Sequence, residues 1–418
     1  MIGLDDGLYA AMVRRGMSRR SFLKFSAAMA GALALPASYA PRIAAALESK
    51  PALPVIWLRG QDCAGNSEAF LGAPKPTISE LMLDLLSIEY HDLLMAPAGT
   101  AAEQSRAAAM EQFPGGYVAV VEGSIALDAD GVYCMIGGRP FADIVREVCD
   151  GALATIAVGS CAFDGGTPAA ADGLTGAKGV GSVVPDGRRI SLPGCPLNAE
   201  NLTATIVHYL TFDEWPTTDG AGRPLFAYGG LIHNQCERRA HFEFGEFVTT
   251  WGDEASQKGW CLYKVGCKGP EVFANCPTAR FASRVSWPVR AGTGCIGCTM
   301  PDFWDQMGPA YARLPGPVPF FPTITVDQVG VAIVAGIGGV AAVHGGASYV
   351  RARRSRAAKR RAERAAAAAA PAATEPIAVA GPAEPTATAA RVEAVPDNIP
   401  AGSEPPPSEP GPAAGESR

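Results

Sequence analysis

Residues 117–166 read YVAVVEGSIALDADGVYCMIGGRPFADIVREVCDGALATIAVGSCAFDGG. The run at 117–123 and the one that opens TIAVGSC at Thr155 are short, apolar and partly β-branched, and each is followed by glycine. That is the pattern of buried strands. Between them, RPFADIVREVCDGA at 139–152 spaces its apolar residues as an amphipathic helix does. Alternating strand and helix predicts an α/β domain with a mostly parallel sheet. Upstream, PVIWLRG from Pro54 is another strand candidate, ending in QDCAGNSEAFL, and ISELMLDLLSIEYHDLL at 78–94 has leucines and methionine at helical spacing. Downstream, the short apolar run RRISL precedes LPGCPLN. In open parallel sheets ligands gather beyond the carboxyl ends of the strands. Cys63, Cys161 and Cys195 each follow such an end, so three cysteines far apart in the chain are expected to converge at one sheet edge. Gly60, Gly159, Gly165 and Gly194 stand beside them, and tight glycine loops can aim backbone N–H groups at bound sulfur.

A second group of donors lies further along. His233, Cys236, Cys261, Cys267, Cys276, Cys295 and Cys298 fall within 66 residues as His-x2-Cys, Cys-x5-Cys, a single cysteine before Pro277, and Cys-x2-Cys. Thiolate and imidazole suit zinc or iron–sulfur clusters. Paired ligands are also the habit of zinc. A disulfide framework fits less well with such short spacings and a histidine. Of eleven cysteines, only Cys134 and Cys149 fall outside these motifs, and both read as small buried hydrophobes.

The 418 residues are 48% hydrophobic with a formal net charge of −6. That supports two or three globular domains and argues against general nucleic-acid binding. Residues 14–35, RRGMSRRSFLKFSAAMAGALAL, place basic residues before a short apolar run, the layout of an export leader, and SRRSFLK is close to the twin-arginine motif. Cleavage is expected near Ala46. Residues 329–350 form an apolar run without acid or base except His344, about 33 Å long as a helix and so long enough to span a bilayer. RARRSRAAKRRAER follows, with eight basic residues, and is expected to stay cytoplasmic. Beyond about residue 365 the Ala/Pro/Glu/Thr-rich tail is expected to be disordered.

The motifs WLRGQDC, VEGSI, GSCAFDGG, LPGCPLN, GRPLFAYGGLIHNQCERRAHFEFGEF, CLYKVGCKGP, NCPTARF and GCIGC followed by PDFWD resemble the small subunit of membrane-bound nickel–iron uptake hydrogenases over about residues 52–315. The resemblance implies a leader (1–46), a flavodoxin-like domain (52–225), a largely irregular iron–sulfur domain (226–315), a linker (316–328), a transmembrane helix (329–350) and a tail (351–418). It implies three clusters. Cys63, Cys161 and Cys195 match a proximal 4Fe–4S site, and Cys276, Cys295 and Cys298 a medial 3Fe–4S site with Pro288 near the missing fourth donor. His233, Cys236, Cys261 and Cys267 match a distal 4Fe–4S site. It further implies a large-subunit partner holding the nickel–iron centre and a membrane acceptor, cytochrome b or quinone, with the body on the outer face of the membrane.

One motif departs from the family: Cys-x2-Cys is here Cys63-Ala-Gly-Asn66, so the fourth proximal thiolate is absent. Asn66, Asp62 and Asp164 are candidate replacements, and Asp164 is expected to serve. A three-cysteine, one-aspartate site resembles the oxygen-insensitive actinobacterial type. The rival functions are a stand-alone ferredoxin-like carrier and a structural zinc protein.

Overall fold

The computed structural model describes residues 18–73, 85–185, 187–282, 284–314, 317–318 and 321–369. Five parallel strands form the central sheet: β1 (Leu53–Arg59), β2 (Leu86–His91), β3 (Val118–Glu122), β4 (Ala154–Val158) and β5 (Arg189–Leu192). Their spatial order is β2-β1-β3-β4-β5, the flavodoxin order, whose crevice opens where the strand order reverses.

Alternation along each strand builds two cores, because successive side chains leave a strand on opposite faces. Val55, Trp57, Val118, Val120, Ile156 and Val158 join one apolar cluster. Ile56, Leu58, Ala119, Val121 and Ala157 join the other. Helices cover both faces. The second core takes Phe141, Ile144, Val145 and Val148 from the helix Phe141–Asp150; the first takes Leu202, Ile206, Val207 and Leu210 from Ala199–Phe212. Asn198 caps the latter helix by accepting the Glu200 N–H at 3.0 Å. Cys149 is buried in the second core and Cys134 packs against it, as expected of small hydrophobes.

Two expectations change, and the leader segment is placed. Leu86–His91, inside the predicted helix 78–94, is instead the edge strand β2, paired with β1; residues 78–84 of that stretch lie outside the described residues. Its Leu86, Ile88 and Tyr90 fit a period of two as well as a helical one, and pairing with β1 decides between them. The leader segment packs as helices on the body. Arg19–Ala32 and Ala40–Ser49 are helices whose Phe22, Phe25, Met29, Ile43 and Leu47 are buried in the first core, so Ala46 lies within a packed helix. Finally, the apolar run does not end its helix at residue 350. A single helix spans Val326–Ala369 and carries the basic segment with it, and a short hairpin pairs Pro317–Val318 with Phe321–Thr325 in the expected linker. Among the described residues this is the one helix long and apolar enough to cross a membrane. The tail beyond 369 lies outside the described residues.

From Leu225 to Gln306 the chain holds only helices of three to five residues and isolated bridges, so this half is largely irregular. It packs against the sheet domain: Ile232, Val248, Leu262, Val265, Val272 and Trp287 belong to the same apolar cluster as Trp57 and Val158.

Candidate metal centres

Cys63, Cys161 and Cys195 lie beyond the carboxyl ends of β1, β4 and β5. Cys161 sits in the short helix Gly159–Asp164 that follows β4 directly. Burial pushes its thiol up to about 12, and Cys195 and Cys63 add to the shift; Cys63 likewise raises Cys195, after burial. Gly65 brings the first and third loops together: a Cβ there would lie 3.1 Å from the Cys63 sulfur and 3.8 Å from Pro196, the residue after Cys195. Gly166, at φ +52°, closes against Cys161: a Cβ there would meet the Cys161 sulfur at 2.9 Å, so no larger residue fits.

A buried carboxylate braces this edge. Glu122, at the end of β3, is fully buried. It accepts from Trp57 Nε1 at 3.1 Å and Ser67 Oγ at 2.5 Å, and from the backbone N–H groups of Asn66 and Ser67 at 3.0 and 3.2 Å. Arg59 Nε lies 3.7 Å away. His91 Nδ1 accepts the Leu93 N–H at 3.3 Å and Nε2 lies 3.3 Å from Ser67 Oγ, so the proton belongs on Nε2. Burial pushes His91 down to about 4, and the ring is neutral at physiological pH.

The candidates for the fourth proximal donor have different surroundings. Asp62 forms a two-point pair with Arg59, at 2.7 and 3.0 Å, and accepts the Ala64 N–H at 3.2 Å. Asp164, the expected fourth donor, makes two backbone contacts. One oxygen accepts the Gly166 N–H at 2.9 Å and the other the Asp302 N–H at 2.6 Å. Both oxygens are aimed at backbone, and the carboxylate clamps the Cys161 loop to the segment after Cys298. Asn66 is buried, and its Oδ1 accepts the Leu197 N–H at 2.8 Å.

Cys276, Cys295 and Cys298 line a cavity of about 380 Å³, whose wall also includes Cys195, Ile232, Trp287 and Pro288. Pro288, on this wall, has no side-chain donor to give. Burial pushes Cys276 up to about 12 and Cys298 to about 11.

His233, Cys236, Cys261 and Cys267 line a neighbouring pocket together with Ile232 and Trp287. Burial lowers the His233 imidazole, with Arg239 adding to the shift, which favours the neutral form that can donate a lone pair. Phe242 meets its ring edge-on at 4.6 Å. The Arg238 N–H points at Cys236 sulfur, 3.4 Å away.

The three sites adjoin one another. Ser160 Oγ donates to the Cys298 carbonyl at 2.5 Å and accepts the Gly194 N–H at 3.1 Å, tying the first cysteine group to the second. The Cys295 N–H donates to Cys267 sulfur at 3.3 Å, and Ile232 and Trp287 wall both the second and third. Sequence reasoning missed Ser160 and Trp287, because neither carries a spacing signal. Among the described residues no three His, Cys, Asp or Glu side chains close on a single-ion site; the thiols rim wider spaces. Thiols crowded into apolar walls keep their protons unless cationic iron shares the space, and this donor set fits iron–sulfur clusters.

Comparison with known proteins agrees. The family model for the C-terminal part of the NiFe/NiFeSe hydrogenase small subunit matches residues 228–311. NADH ubiquinone oxidoreductase, 20 Kd subunit, matches 63–209, and the twin-arginine translocation signal matches 16–36. The uptake hydrogenase small subunit of Azotobacter vinelandii is 42% identical over 346 residues, covering 83% of this chain and 96% of that one. The reduced NiFeSe hydrogenase of Desulfomicrobium baculatum superposes with a TM-score of 0.60 at 33% identity, over 63% of this chain and 100% of that one. The actinobacterial-type enzyme of Ralstonia eutropha H16 gives a TM-score of 0.58 over 70% of this chain and 90% of that one, but at 23% identity, which supports a common fold and not a common subgroup. The chain belongs to the small-subunit family of nickel–iron hydrogenases, the iron–sulfur protein that carries electrons for a catalytic centre on its partner.

Proposed function

We propose that this chain holds three clusters in series: a proximal 4Fe–4S group on Cys63, Cys161 and Cys195, a medial 3Fe–4S group on Cys276, Cys295 and Cys298, and a distal 4Fe–4S group on His233, Cys236, Cys261 and Cys267. The observation that carries this reading is the contiguity of the three donor groups through Ser160, Cys195 and Cys295. When bound, such clusters take up and release single electrons. The chain's residues fix the separations, exclude water with Ile232, Val272 and Trp287, and direct N–H groups at Cys236 and Cys267. Such hydrogen bonds and burial are the levers that set potential, and an imidazole in place of one thiolate puts less negative charge on the distal group.

The twin-arginine leader directs export of the body. In the proposed topology the segment 329–350 anchors it, the eight cations of 351–364 remain on the cytoplasmic side, and electrons leave to a membrane cytochrome b or quinone. Purification from membranes is the test. A nickel-containing large subunit is expected to accompany the chain, and hydrogen is expected to reduce the membrane's b-type cytochrome or quinone pool through the complex. Iron-bearing chain without a nickel partner would favour a stand-alone carrier instead.

A further inference from the structure

The position where the fourth proximal thiolate is absent is not empty of structure. Asn66 lies at the start of the helix Gly65–Leu71 and is 7% exposed. Its backbone N–H is held by Glu122. Its side chain reaches the two other cysteine loops. The Leu197 N–H, two residues after Cys195, donates to Oδ1 at 2.8 Å. Because a backbone N–H requires an acceptor, this bond identifies the oxygen of the carboxamide. On its other flank the carboxamide packs against Gly159, two residues before Cys161. A Cβ on Gly159 would meet Asn66 Nδ2 at 2.4 Å and Oδ1 at 2.5 Å. Gly159 also has φ +82°, so glycine is required there twice over.

One side chain therefore touches all three cysteine loops: its own, that of Cys161 and that of Cys195. Its oxygen is committed to Leu197. Nδ2 is a donor with no acceptor among the described residues, and an amide N–H donates to sulfur rather than binding iron. The carboxylate oxygens of Asp62 and Asp164 accept hydrogen bonds from Arg59, Ala64, Gly166 and Asp302, whereas Asn66 is the side chain that stands at the position of the absent thiolate. We propose that the proximal site is a three-thiolate site in which Asn66 is a positioning residue: its carboxamide ties the three loops together, and one iron corner is left without a protein donor, open to water or a small external ligand.

This rests on Cys63, Cys161 and Cys195 forming one cluster site, and the test separates the two ideas. The wild-type holo-complex is first assayed for iron. A value near zero, against about 11 per chain for the three clusters, would overturn the cluster reading itself. With iron present, ethanethiol is titrated into the reduced complex and the proximal EPR signal followed. A shift in the signal is expected in wild type, since a thiolate can take the open corner, and none in Asn66→Cys, where that corner is already filled. The Asn66→Cys proximal potential is expected to fall, because a fourth anionic thiolate stabilises the oxidised cluster. A wild-type signal indifferent to ethanethiol overturns the proposal, and that measurement needs no variant to fold. An Asn66→Cys complex with unchanged signal and potential overturns it equally.

Discussion

Cys295→Ser is expected to remove the medial cluster while leaving the protein assembled. The iron content should fall by about three of about eleven atoms per chain, and the 3Fe EPR signal of the oxidised complex should vanish. Hydrogen-driven reduction of the membrane acceptor should drop to background. The thiolate is the metal ligand, and a serine hydroxyl does not ionise in its place. Cys295 is buried among Ile232, Trp287 and Pro288, its N–H donates to Cys267 sulfur, and its carbonyl accepts the Lys268 N–H at 2.8 Å. The backbone bonds survive the substitution, so the loss is expected to be specific to the medial site. An unchanged 3Fe signal in Cys295→Ser would remove this residue from the ligand set.

Glu122→Ala carries the largest expected effect on stability. The carboxylate is the common acceptor for Trp57, Ser67 Oγ and two backbone N–H groups, with the Arg59 guanidinium beside it. Truncation strands these donors in a dry interior. Breaking a buried charged network by removing one partner costs about 3–5 kcal/mol. For a domain of this size that is a fall in Tm on the order of 10 °C. Glu122→Gln keeps an acceptor and the shape, and should lie between the two. Thermal unfolding of the three proteins measures this directly. Because Asn66 and Ser67 are held by Glu122, the proximal signal of Glu122→Ala should broaden as well. A Tm within about 2 °C of wild type, on the scale of an ordinary surface change, would show the network to be dispensable.

Much of this was legible from local pattern. The strands β1, β3 and β4 are short apolar runs with β-branched residues, closed by polar or glycine residues, and the rule that ligands sit at strand carboxyl ends brings Cys63, Cys161 and Cys195 together before any coordinate is known. The edge strand β2 was not legible, because Leu86, Ile88 and Tyr90 continue a run that also has helical spacing; only pairing with β1 decides it. The packing of Phe22, Phe25 and Met29 into the first core was hidden too, since an apolar leader and an apolar core helix share one composition. The contact between Asp164 and the Asp302 N–H could not be read because the two are 138 residues apart. Asn66 shows the opposite case. Its spacing marked where a thiolate is absent, but the reach of its amide to Gly159 and Leu197 is a property of the assembled sheet edge.

Metal analysis with EPR on the purified complex bears most directly on the central claim. Nine cysteines and one histidine arranged as described should retain about 11 iron atoms per small subunit, absorb visible light as a brown protein, and show a 3Fe signal when oxidised. A correctly folded complex that holds zinc in place of iron, and shows no such signal, would contradict it.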